Sequence, residues 1–253
     1  MLRLLKQQYI NRRVRAFFFA PLFFCVVAAA NDNAKKAALT LSVCTELSKH
    51  ADVTKVITGS TTDQIIRAGN QSGIHFNVQY RAWNRCLQMA QDNRVDGIYA
   101  LFWTPERARF LAFPQGSESS ANITRLRTAQ FFFYENINKP LDVDNLEFGI
   151  GAPLGYVVRD YLEEQGWLSP IDYSIKEGFT MLGMNKLDAY LIAEEMGDNM
   201  VMTLQQHNII RKKQPAFIEQ DIHIAFTKDI YQRHAEQIDL FWEAVESIRG
   251  NYQ

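Results

Sequence analysis

The chain has 253 residues, of which 47% are apolar and 22% charged, a composition that excludes an intrinsically disordered chain, a collagen-like repeat and a polytopic membrane protein. Its 27 basic and 28 acidic side chains leave a formal charge of -1, which argues neither for nucleic acid nor for a polybasic membrane surface, and no nucleic-acid partner is expected. That average hides an asymmetry, because the first 30 residues hold five basic groups (Arg3, Lys6, Arg12, Arg13, Arg15) and no acid, and residues 31–253 carry 22 basic against 28 acidic groups.

The basic segment runs into an apolar stretch of 15 residues, 16–30, that ends in Ala28-Ala29-Ala30 before Asn31. This is the order of a secretory signal peptide. The stretch is shorter than the roughly 20 residues of a permanent span, and Pro21 lies within it, so an uncleaved anchor is the weaker alternative. Phe24 precedes Cys25 where lipid attachment needs a small residue. The expectation is a soluble, exported, periplasmic protein of residues 31–253. It keeps two cysteines, Cys44 and Cys86, which in an oxidising compartment form either one disulfide or two buried thiols. The five histidines show no paired ligand spacing, so neither a metal nor another cofactor is expected.

In chain order, Leu39 to Thr45 reads as a strand, Ser60 as the N-cap of a helix through Gln64 to Ala68 that stops near Gly69 and Gly73, and Ile74 to Tyr80 as a strand of period two. A helix follows from Trp83 to Ala90 with Trp83, Leu87 and Ala90 on one face, then a strand from Val95 to Trp103. Strand, helix, strand, helix, strand implies right-handed crossovers onto a parallel sheet. The pattern restarts past Arg127: Gln130 to Tyr134 extended, Leu146 to Gly151 a strand, Gly155 to Leu162 a helix stopped at Gly166, Ile171 to Lys176 a strand, Glu177 to Asn185 a short helix and Leu187 to Ile192 a strand. His223 to Phe226 is a last strand, and Ile238, Phe241, Trp242, Val245 and Ile248 recur at helical spacing. The polar passage Gln115 to Asn122 reads as the start of a hinge or as a surface loop.

Thr104-Pro105-Glu106-Arg107 follows directly on a predicted strand. A guanidinium at the carboxyl end of a parallel sheet faces the crevice where open α/β folds bind ligands, and it grips a carboxylate bidentately; the plainer alternative pairs Arg107 with Glu106 or Asp96. Trp83 and Trp103 close two strands, with Tyr80 and Phe102 near them, so aromatic side chains line one edge of a cleft or belong to the core. Gly151 to Gly155 joins a strand to a helix N-terminus and suits an anionic group. Asp188, Glu194 and Glu195 flank a strand, where a carboxylate binds an ammonium or is solvated. No nucleophile elbow and no base tied to a nucleophile occurs, so no active site is expected.

From Trp83-Asn84-Arg85-Cys86-Leu87 through Val95-Asp96-Gly97 to Thr104-Pro105-Glu106-Arg107 and Phe113-Pro114, the chain resembles the family 3 extracellular solute-binding proteins of bacteria, which serve mainly polar amino-acid ABC transporters. The likeness extends to Leu146 to Gly155, to Lys186-Leu187-Asp188-Ala189-Tyr190 and to the terminal helix from Tyr231 to Gly250. It implies an α/β, two-lobed periplasmic-binding-protein-like (type II) fold, each lobe a mainly parallel sheet flanked by helices. Lobe 1 would comprise 31–122 plus 223–253 and lobe 2 123–222, with the chain crossing out near Asn122 to Arg127 and back near Phe217 to His223.

By the same resemblance Arg107, in the Thr-x-x-Arg motif with Thr104, holds a ligand carboxylate; Trp83, Trp103, Tyr80 and Gly155, singled out above from their positions, would shape the site around it. The family's acid for the α-amino group falls on Ala193, with Glu194 beside it, and Thr45 to Lys49 stands where the family has an aromatic loop. The implied function is capture of a small carboxylate-bearing solute, an amino acid in the first instance, by a monomer that works with an inner-membrane permease. The alternatives are a ligand-sensing subunit for a membrane sensor and, on the same scaffold, a dehydratase-like enzyme drawing its acid from Glu46, Asp188 or Glu194.

Overall fold

The computed structural model describes residues 38–46, 60–119 and 124–249; the expected signal segment 1–30 and the loop residues 47–49 lie outside them. Strand β1 (Leu39–Thr45) and strand β2 (Ile74–Tyr80) have the bounds that their sequence pattern predicts. Between them, helix α1 (Thr61–Ser72) starts at Ser60, whose hydroxyl accepts the Asp63 N–H at 3.1 Å, and ends at Gly73. Helix α2 (Trp83–Gln91) buries Trp83, Cys86, Met89 and Ala90, so the inward face turns on Cys86 and Met89 rather than on Leu87. Strand β3 (Gly97–Leu101) completes a parallel trio in the order β2-β1-β3.

Alternation along these strands makes a layered half. Leu41, Val43, Ile74 and Tyr99 pack with Ile65 and Ala68 of α1, whereas Cys44 and Ile98 face α2. Cys44 and Cys86 are joined as a disulfide, Cα to Cα 5.5 Å, which ties α2 to the end of β1. Ala100 sits in the left-handed region at φ 63°, and the register of β3 shifts there. For an alanine this costs about 1–2 kcal/mol.

After β4 (Leu111–Ala112) the chain enters β5 (Arg127–Asn136), followed by β6 (Ile150–Gly151), α3 (Val157–Glu164), α4 (Ile175–Gly183), β7 (Ala189–Ala193), α5 (Glu194–Thr203), β8 (Ile210–Lys212), β9 (Ile218–Thr227) and α6 (Lys228–Arg249). The sheet runs β2-β1-β3-β9-β5-β7-β6, with β4 on β9 and β8 on β5. Strand β9 joins the halves: Ile218 to Ile222 pair with β5 and His223 to Phe226 with β3, both antiparallel. Phe131, Phe133 and Leu191 face α3, while Phe132, Tyr134, Tyr190 and Ile192 face α4 and α5.

The second half differs from the mainly parallel sheet expected of it. Its central strand β5 is antiparallel to β7, β8 and β9, and only β6 and β7 run parallel. Expected strand Leu146 to Gly151 is cut to two residues because the N–H groups of Glu147, Phe148 and Gly149 all turn to the Asp188 carboxylate. Ile171 to Lys176 is not a strand. Ser174 and Glu177 form a reciprocal capping box that draws Ile175 and Lys176 into α4. Helix α6 carries a break at His234 and buries Ile238, Phe241, Trp242, Val245 and Ile248, each stabilising by about 2 kcal/mol. No helix of the described residues is long and apolar enough to cross a membrane.

Candidate functional site

The carboxyl ends of the parallel strands β1, β2 and β3 meet the second half across a gap that holds a cavity of about 330 Å³. From the first half it is lined by Glu46, Ala82, Trp83 and Asn84; from the second by Pro153, Leu154, Asp172 to Lys176, Met196, Asn199 and Met200. Glu46 follows the last residue of β1. Ala82, the N-cap of α2, provides no side-chain cap. The Glu46 carboxylate substitutes for it by accepting the Trp83 N–H at 3.3 Å, a position the helix N-terminus favours for an anion.

Trp83 is buried, and its indole N–H donates to the Gly155 carbonyl oxygen at 2.9 Å. The same oxygen accepts Arg107 Nη2 at 3.1 Å, while Arg107 Nη1 donates to the Phe102 carbonyl at 2.9 Å. The guanidinium carbon lies 5.5 Å from the Trp83 ring centre. Thr104 sets this up, since its hydroxyl accepts the Arg107 N–H at 3.1 Å at the start of the short 3-10 turn Arg107–Arg109. Burial pushes Arg107 down to about 10, against the pull of Asp160, Glu106 and Tyr156, so it stays a cation at neutral pH.

Gly155 is made for its position. Its φ of +77° belongs to the left-handed region, and an added Cβ would meet Trp83 Cδ1 and Leu87 Cδ1 at 3.3 Å. Next to it, the buried Tyr156 hydroxyl donates to Glu46 Oε2 at 2.6 Å. The ring packs edge-on against Trp83 and Phe131. Burial raises the Glu46 carboxyl above its ordinary value, and the bonds from Tyr156 and Trp83 offset part of that rise. Burial and the facing Glu46 carboxylate hold the Tyr156 phenol well above its ordinary value.

Of the residues singled out by sequence, the structure brings Arg107, Trp83, Thr104 and Gly155 together. Only Trp83 of these lines the cavity itself; Arg107, Thr104 and Gly155 lie behind it, and Tyr80, Trp103 and Glu194 do not line it either. Glu194 lies just past the end of β7, as the sequence suggests, where it opens α5 and is paired with Lys212, which also reaches Asp198. Ala193 is the last residue of β7, opposite Phe131. Asp188 is committed elsewhere: it accepts three backbone N–H groups and lies 3.0 Å from Lys139 Nζ. Burial pushes its carboxyl up, yet the N–H bonds and Lys139 outweigh this and hold it below the ordinary range. Tyr156, Met196, Asn199 and Met200 escape the sequence reading. Only Tyr156 had a local signal, its position beside the Gly155 turn.

No family model matches the chain, and no curated protein matches it. Among solved structures it is similar to a histidine kinase sensor domain with similarity to periplasmic binding proteins, at 16% identity and a TM-score of 0.68 over 86% of this chain and 93% of that one. It is also similar to the amino acid ABC transporter substrate-binding protein AbpA from Streptococcus pneumoniae bound to L-arginine, at 14% identity and a TM-score of 0.65 over 86% and 92%. A third is the arginine-, lysine-, histidine-binding protein ArtJ from Geobacillus stearothermophilus, at 12% identity and a TM-score of 0.64 over 84% and 90%. These likenesses show the fold, a two-lobed α/β structure of the type II periplasmic-binding-protein kind.

Proposed function

We propose that the chain is a periplasmic solute-binding protein that captures a small carboxylate-bearing solute, an amino acid in the first instance, for an ABC-type importer. The observation that carries this reading is the pairing of the Arg107 guanidinium with a single carbonyl oxygen from the opposite half, beside a cavity of about 330 Å³. A solute carboxylate offers that cation a stronger, charge-assisted acceptor than a peptide oxygen does. The cavity volume falls at the small end of the range for ligand sites, as an amino acid requires.

Export by residues 1–30, lobes of 31–122 plus 223–253 and of 123–222, and a monomeric state belong to the same proposal. The switch of β9 from β5 to β3 between Ile222 and His223 supports the second boundary. Closure about the paired strands β5 and β9 gates handover to the permease. The amino-acid ligands named for AbpA and ArtJ support the solute class. The likeness to a histidine kinase sensor domain favours a second reading, in which the closed form signals to a membrane sensor instead. Binding without turnover is part of both readings.

A thermal-shift screen of residues 31–253 against amino acids and small carboxylates tests the proposal. A solute at 100 times its dissociation constant stabilises the fold by about 2.7 kcal/mol, readily seen in the melting temperature. No shift with any amino acid or carboxylate overturns it.

A further inference from the structure

Three first-half residues at the gap, Arg107, Glu46 and Trp83, each make one bond within their own half and one across to the other. Arg107 donates to Phe102 O in its own half and to Gly155 O across the gap. Glu46 accepts the Trp83 N–H in its own half and the Tyr156 hydroxyl across it. Trp83 reaches Glu46 with its backbone and Gly155 O with its indole. All of the bonds that separation of the halves would break in this set converge on one dipeptide, Gly155–Tyr156.

That dipeptide offers an oxygen to the cation and a hydroxyl hydrogen to the carboxylate. A zwitterionic solute offers the same complement, a carboxylate oxygen and an ammonium hydrogen, with full charge on each. The turn at Gly155 and the extended backbone of Tyr156, φ -83° and ψ 139°, present both groups to the same wall. The bonds made within the first half keep Arg107 and Glu46 aimed when the dipeptide leaves. The high value of the Tyr156 phenol keeps its proton in place as a donor.

We infer that Gly155–Tyr156 is a built-in competitor of the solute: it holds the halves together through the groups that recognise a zwitterion. A solute binds by displacing it, its carboxylate replacing Gly155 O on Arg107 and Trp83 and its ammonium replacing the Tyr156 hydroxyl on Glu46. This rests on the solute-binding reading above and deepens it. Tyr156 becomes a specificity-determining residue, because a solute that lacks the ammonium leaves the half-buried Glu46 carboxylate without its donor once the hydroxyl is gone.

The test combines small-angle scattering without solute and calorimetric titration with the twenty standard L-amino acids, on the wild type, Tyr156→Phe and Glu46→Gln. Tyr156→Phe keeps the ring packing and loses only the donor. It is expected to expand the solute-free protein and to tighten binding of the same amino acid by about tenfold, the worth of one competing hydrogen bond. Glu46→Gln keeps a neutral acceptor for Tyr156, so scattering stays as in the wild type while binding weakens by about tenfold or more.

Unchanged scattering and affinity in Tyr156→Phe overturn the inference, as does weaker binding, which makes the hydroxyl a solute contact. Equal binding to all three proteins overturns the competition alone. If Tyr156→Phe expands and no amino acid binds to any of the three, the competition falls together with the reading on which it rests.

Discussion

The Arg107 guanidinium donates to the Gly155 carbonyl oxygen at 3.1 Å, and the two residues belong to opposite halves of one sheet. The bond depends on a left-handed glycine, so Gly155→Ala is expected to cost about 1–2 kcal/mol in backbone strain alone, with contact to Trp83 and Leu87 added. Urea unfolding checks this as a lower midpoint with an unchanged slope. An unaltered midpoint contradicts the assigned turn.

His223 is 1% exposed, and its Nδ1 has no hydrogen-bond partner among the described residues. Burial lowers it to about 4, with Asp221 raising and Arg125 lowering it. The folded state therefore binds fewer protons than the unfolded state between the ordinary value near 6.5 and about 4, and stability falls as the pH drops through that window. The loss is about 3 kcal/mol. Denaturant midpoints of the wild type and His223→Gln at intervals from pH 7 to pH 4 check it: the variant loses this part of the slope, and parallel curves contradict it.

The first half was largely legible in the sequence, because its signals are local. Period-two alternation sets Ile74 to Tyr80, and Ser60 and Gly73 bound α1 with groups that act within one turn. Ile171 to Lys176 shows the limit: its apolar residues suggest a strand, but the Ser174 and Glu177 capping box decides for helix. The site divides in the same way. Arg107, Thr104, Trp83 and Gly155 announce themselves through neighbouring motif residues. Glu46 and Tyr156 are 110 residues apart in sequence and meet only because β9 and β5 bring the halves face to face. No pattern along the chain encodes that meeting, nor the diversion of Glu194 to Lys212.

The disulfide between Cys44 and Cys86 closes a separation of 42 residues. Such a loop constrains the unfolded chain by about 4 kcal/mol in the chain-entropy account. Replacing both cysteines by alanine, or unfolding under reductant, is expected to lower stability by roughly that amount. Equal midpoints with and without reductant contradict it.

Asp188 pins the loop Glu147 to Gly149 through three backbone N–H groups and pairs with Lys139. Asp188→Ala leaves those donors without an acceptor and is expected to cost about 3 kcal/mol. Because the folded carboxyl is held below its ordinary value, the stabilisation is present above the ordinary carboxylate range and is lost as the pH falls through the folded value. Hydrogen exchange at residues 147–149 checks the local effect, and unchanged protection in the variant contradicts it.

The central claim is that Arg107 holds the carboxylate of a solute in the gap between the halves. Calorimetric titration of the wild type and Arg107→Met, each with an amino acid found by the screen and with the amine that lacks its carboxylate, tests it most directly. The account predicts that Arg107→Met weakens binding of the amino acid by about 100-fold, the worth of a charge-assisted bond, and that the amine binds both proteins equally weakly. Unchanged affinity for the amino acid in Arg107→Met would contradict it.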